Sequence, residues 1–260
     1  MGTIAAAFLG LTLSWPGDPP AREVAAALAE LRSPRAEVRG SAAVRLGRLG
    51  AKAREPVEAL ARLVRADPDA DVRGYAVSSL GQLGPAAATA VKSLIQAAAD
   101  PSTDVAKRAI VALGEVGPAA TEAVPLLRDR LASGDPFLRR IAARALGGLA
   151  GSATAAVPDL IDVLEADDDL GARREAARAV GRIGKPDAEI VQVLINALDD
   201  EEPALRLDAA TALGEMGPPA LAACEPLRRM AADEHLAGLA EAARSALRAI
   251  TSGRFHPATP

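Results

Sequence analysis

The first residues in this 260-residue chain that could do chemistry are charges recurring at a fixed interval. Arg39, Arg73, Arg139, Arg173 and Arg206 stand in one register of 33 or 34 residues; the unit between Arg73 and Arg139 has Ala106 there, with Lys107 beside it. A row of guanidiniums could clamp phosphates or carboxylates. Asp67, Asp100, Asp167 and Asp200 recur at a matching interval. A charge repeated in every unit is what a structural ladder requires, whereas a site needs a local exception. The two columns are therefore read as a structural ladder.

The other candidates for chemistry are sparse. The only histidines are His235 and His256, and Glu234-His235 is the only His-Glu neighbour pair. The single cysteine, Cys224, can form neither an intramolecular disulfide nor a thiolate zinc site. It stands in register with Val57, Val91, Val124, Val157 and Val191, where a free thiol behaves as a small buried hydrophobe. Acidic residues gather at Asp159, Asp162, Glu165 and 167–169, and again at 199–202, but without the Asp-x-Asp-x-Asp-Gly spacing of a calcium loop. There is no Gly-rich phosphate loop, no Gly-x-Ser-x-Gly elbow and no Ser/His/Asp set. No catalytic residue, metal ligand or cofactor is assigned.

The elements that position these residues follow from composition and period. Half of the chain is apolar, alanine dominates that half, and only three Phe, one Tyr and one Trp are present. Alanine favours helices, and the residues that strands prefer are scarce. Glycines at Gly47, Gly81, Gly114, Gly147, Gly181 and Gly214 mark a repeat of 33 or 34 residues. Five residues before each stands an alanine, and thirteen after each stands a leucine (Leu60, Leu94, Leu127, Leu160, Leu194 and Leu227). Val38, Ala42 and Leu46 form a helical stripe before the glycine, and Val157, Leu160, Ile161 and Leu164 form another after it. Gly114 and Gly117 are expected to end the first helix, and prolines such as Pro125 and Pro158 to open the second. Each unit is thus helix, turn, helix. One pair cannot bury its apolar face alone, so the units must stack.

The expected fold class is all-α, an α-solenoid wound as a right-handed superhelix of about six helix-turn-helix repeats with terminal caps. Residues 20–251 form the solenoid, with repeats at about 33–66, 67–99, 100–133, 134–166, 167–199 and 200–232 and a half-repeat at 233–251. Residues 1–19 read as a leader and 252–260 as a flexible tail. The ten-residue apolar run 4–13 is too short to span a bilayer and suits the apolar core of a secretory signal peptide, although no Lys or Arg precedes it. Export or a periplasmic location is the expectation, with the cytoplasm as the alternative. The formal net charge of −4 lacks the footprint of a general nucleic-acid binder. No transmembrane segment is expected.

Asp67-Pro68, Val72-Arg73 and Leu80-Gly81-x-Leu83-Gly84 in one unit, and Leu138-Arg139, Ala145-Leu146-Gly147 and Val157-Pro158-x-Leu160-Ile161 in another, resemble HEAT repeats. The pattern is most similar to the short subclass of phycobilisome-lyase HEAT-like repeats. The resemblance covers roughly residues 33–251 and specifies fold far more than function. It implies that the Asp and Arg columns link successive units. It also brings a di-iron hydroxylase, a bilin lyase and a DNA glycosylase into view. Two histidines cannot rebuild a di-iron site, and five aromatics offer little for stacking a tetrapyrrole or a nucleic acid. The expected function is a non-enzymatic, bacterial scaffold that binds a protein or peptide partner on the concave face, taken here to be lined by second helices. The expected contact ridge is the polar column Arg62, Gln96, Asp129, Asp162, Asn196 and Arg229. The alternatives are a bilin-lyase-like enzyme or subunit and, behind it, a DNA-binding protein.

Overall fold

Alanine-rich, leucine-punctuated segments take up helix throughout the computed structural model, which describes residues 21–49, 54–183, 187–233 and 236–252. The expected leader and tail, the Glu234-His235 pair and His256 lie outside the described residues. An N-terminal cap helix, α1 (Ala21–Glu30), precedes the repeats. First helices are α2 (Ala36–Arg48), α4 (Ala70–Leu83), α6 (Thr103–Val116), α8 (Pro136–Gly148), α10 (Leu170–Ile183) and α12 (Pro203–Met216). Second helices are α3 (Arg54–Ala66), α5 (Val91–Ala97), α7 (Val124–Leu131), α9 (Val157–Ala166), α11 (Ala188–Asn196) and α13 (Cys224–Ala232). The last helix, α14 (Ala237–Thr251), packs on α12 and α13 as a first helix would. The architecture is an α-solenoid of two layers, in which each second helix packs against the first helix that follows it.

Local chemistry sets the boundaries. Asp69 caps α4 by accepting from the Val72 N–H, Asp135 caps α8 from Phe137, and Asp187 caps α11 from Ile190. First helices α4, α6 and α12 end on Gly84, Gly117 and Gly217, whose φ values of 55°, 76° and 65° suit a residue without Cβ. In the fourth repeat the equivalent position is Ala150, which adopts φ 48° despite its side chain. The turn read from sequence is itself ordered: 84–90, 117–123, 150–156 and 218–223 are 3-10 segments leading into the second helices.

The repeat-marking glycines do not end their helices. Gly114 lies inside α6, which runs on to Val116. These glycines mark where neighbouring first helices touch. A Cβ on Gly114 would sit 2.7 Å from Ala145 Cα, one on Gly147 3.1 Å from Ala179 Cα, and one on Gly181 2.6 Å from Ala212 Cβ. Gly47 meets Ser79 and Gly214 meets Ala246 in the same way. Small residues on both sides thus seam the first-helix layer from end to end. The core lies between the layers, where all six repeated alanines and all six repeated leucines are fully buried. Truncating one such leucine to alanine costs about 2–5 kcal/mol.

The apolar stretch Thr103–Leu131 has the length and hydropathy of a membrane span, but α6 stops at Val116, and Gly117 turns the chain into a 3-10 segment before α7 begins. Half of its most apolar window is buried among other helices, as in the core of any repeat.

Candidate surfaces on the two helix layers

The charged columns meet across repeat junctions. Arg39 donates from Nε and Nη2 to the two Asp67 oxygens at 2.7 and 2.8 Å, and Arg73 repeats this on Asp100 at 2.7 and 2.8 Å. Arg139 does the same to Asp167 at 2.6 and 2.7 Å. Each arginine also donates to a carbonyl at the end of the preceding second helix or in the loop after it: Ser33, Asp67 and Ser133, respectively. Each aspartate accepts a backbone N–H two residues on, as Asp100 does from Ser102. One side chain therefore ties its own loop and the neighbouring repeat together. Burial would raise the Asp67 and Asp167 carboxyls, but the arginine and backbone hydrogen bonds outweigh it and hold both below the usual range. At Asp100 the Arg73 hydrogen bond is the largest influence and acts in the same direction.

Two rungs differ. In the third repeat Lys107 replaces arginine, pairing with Asp135 at 3.1 Å and lying 4.8 Å from the centre of the Phe137 ring. Farther along, Arg173 reaches Asp200 only at 3.6 Å, and its buried Nε has no hydrogen-bond partner. Arg206 donates to the Asp200 and Glu201 carbonyls.

The six ridge residues, Arg62, Gln96, Asp129, Asp162, Asn196 and Arg229, are all exposed on successive second helices. Gln192 donates to Asn196 at 2.9 Å. Between them lie the ion pair Arg128–Asp159 and exposed acids. Cys224 is buried. Among the described residues, no group of three His, Cys, Asp or Glu side chains could hold a metal ion.

The outward face of the first helices carries features that sequence reasoning passed over. Tyr75 (43% exposed), Phe137 (46%) and Leu207 (37%) are three of the five large apolar side chains exposed among the described residues, and all three stand on first helices. Tyr75 lies against Gly40, where a Cβ would come within 2.9 Å of its ring. A groove of ≈ 660 Å³ runs beside it, lined by Glu37, Ser41, Val44, Arg48 and Asp71 from α2 and α4. A second hollow of ≈ 310 Å³ opens between α4, α6 and α8 under Phe137. Farther along, Asp208 is buried between Arg174 at 2.6 Å and Arg178 at 2.8 Å, pinning α12 to α10. The signal for this face is in the sequence. Positions ten, seven, six and three before each glycine and one after it change type from unit to unit, while those nine, five, four and one before it stay small or apolar. The column ten before reads Glu37, Asp71, Asp104, Phe137, Gly171 and Ala204.

Known proteins match this arrangement. The family profile described as HEAT repeats matches residues 91–170 and 157–248, together more than half of the chain. A comparison with curated proteins finds no match. Among solved structures, an engineered protein from the Northeast Structural Genomics Consortium is similar at TM-score 0.60 and 22% identity, over 87% of this chain and 68% of that one. The complex of CpcE and CpcF of phycocyanin lyase from Nostoc sp. PCC7120 is similar at TM-score 0.56 and 25% identity, over 88% of this chain and 94% of that one.

Proposed function

This chain belongs to the HEAT-repeat family and is a helical repeat scaffold; from that premise we propose that it is a non-enzymatic module that binds a protein or peptide partner along the outward face of its first helices. The observation that carries this reading is the placement of Tyr75, Phe137 and Leu207. Half-exposed aromatic anchors beside arginines are the side chains that dominate protein interfaces. Three of the five large apolar side chains exposed among the described residues stand on this one layer, and together they ask for an occupant.

Curvature supports the same face. First helices contact one another along much of their length, whereas second helices meet one another at few points. A stack spaced more tightly on one side bends toward that side, so the first-helix face is the concave one in this reading. The sequence-based expectation put the concave face on the second helices. Their polar ridge remains the other contact surface, and the same experiment separates the two. Partner capture from the source organism should depend on Tyr75 and Phe137. Joint replacement, Tyr75→Ala with Phe137→Ala, is expected to weaken the captured complex at least tenfold, because buried aromatic anchors are worth about 2 kcal/mol or more each. The pair Asp129→Lys with Asp162→Lys is expected to change it little. The reverse result moves the interface to the ridge.

The likeness to the CpcE and CpcF complex supports a second reading, a bilin-lyase-like subunit. Coloured bilin co-purifying with the chain in stoichiometric amount would favour that reading over the scaffold.

A further inference from the structure

The hollow under Phe137 deepens the scaffold reading, on which this inference rests, because its chemistry selects one kind of side chain. We propose that it receives a long cationic side chain, arginine or lysine, from the partner's bound segment. Phe137 on α8 and Val111 on α6 give it an apolar wall. Ser78, Gln82 and Glu115 give it a polar end. Of its four charged residues, three are already engaged. Lys107 pairs with Asp135, and Arg108 donates to Asp104 at 2.5 Å and to Ser78 at 3.1 Å. Glu115 is the remainder. Among the described residues it makes no hydrogen bond or ion pair, and Arg144 is the only charge that acts on it.

The position of Glu115 follows from the glycine seam. Its carboxylate folds back over Gly81 on α4, into the space that a Cβ there would occupy. Glu115 as a whole stays open to solvent, but its carboxyl is partly shielded against α4, and that shielding raises it above the ordinary value while Arg144 acts to lower it. A partly shielded carboxylate without an ion-pair partner is stabilised by a cation placed beside it. An arginine or lysine matches both ends of the hollow, since its methylene stem covers apolar surface while its head reaches a charge. A purely apolar side chain would bury Glu115 unpaired. An acidic one would add a like charge beside it.

The test needs no natural partner. Three synthetic pentapeptides, acetyl-Ser-Leu-X-Leu-Ser-amide with X as arginine, norleucine or glutamate, are titrated into the full chain labelled with ¹⁵N. The arginine peptide is expected to shift the Gln82, Glu115 and Phe137 amides saturably, with affinity at least tenfold above the other two. Glu115→Gln should remove that preference without lowering the melting temperature. Equal affinity for the arginine and norleucine peptides, or a preference untouched by Glu115→Gln, overturns the proposal. Failure of the scaffold reading looks different: a captured partner whose binding ignores Tyr75 and Phe137. A partner that needs both aromatics but shows no arginine preference leaves the scaffold standing and rejects the cation.

Discussion

Asp100 accepts two hydrogen bonds from Arg73 and one from the Ser102 N–H, so its removal strands donors from two repeats at once. Asp100→Ala is expected to cost about 2–3 kcal/mol at neutral pH, the range for a charge-assisted hydrogen bond broken in a part-buried site. Denaturant unfolding would measure it. The pH dependence has a definite sign. The carboxyls of Asp67, Asp100 and Asp167 titrate lower in the folded chain than in the unfolded one. Their contribution is complete above the unfolded value of about 3.9 and fades as pH falls through the lower folded values. Melting temperature should therefore hold steady down to about pH 4 and drop below it, with the gap between wild type and Asp100→Ala closing by about pH 2. The ladder was legible in the sequence because the same two charges recur in nearly every unit. Tyr75 and Phe137 were not, because an aromatic on an amphipathic helix reads as core until the columns around it are known to face outward. Gly40, which makes room for the Tyr75 ring, looks in sequence like a mere helix weakness.

At the scale of elements, the glycines reverse an ordinary rule. Gly→Ala inside a helix usually stabilises by about 1 kcal/mol through propensity. Gly114→Ala should instead destabilise by about 1–3 kcal/mol, since its methyl would meet the Ala145 backbone and push α6 from α8. Gly238→Ala, in the first turn of α14 with nothing within 4 Å, is the control and should stabilise by about 0.4–1 kcal/mol. Ala150→Gly belongs to the same comparison. It relieves a left-handed φ of 48° at the position that the five other repeats give to glycine. A gain of up to about 1 kcal/mol is expected, and thermal denaturation of all three variants checks the set. Sequence reasoning found both helices of each unit from their stripes. It misplaced the role of the Gly114 column because a glycine near a helix end resembles a stop signal. Only the distance to the next first helix distinguishes a cap from a contact.

Across the whole molecule, stability should approximate a sum over units and their junctions. The junctions are not equal: Arg139 grips Asp167 with two short hydrogen bonds, while Arg173 meets Asp200 at 3.6 Å with its Nε unsatisfied. Amide hydrogen exchange is therefore expected to find the stack opening first between α10 and α12, despite the Asp208 link, with the α8–α10 region most protected. Uniform protection across the repeats would contradict this. The ladder's geometry has a further consequence, for inheritance. Every rung takes one residue from each of two neighbouring units, at an almost constant separation. If residues 67–99 were excised, Asp100 would fall where Asp67 had stood and face Arg39, and Ala112 would replace Ser79 against Gly47. Both joints would close as before. A gene coding for such a chain can gain or lose whole units through unequal crossover without rewriting any neighbour, so length is the trait that drifts most cheaply, and the span of the recognition surface drifts with it.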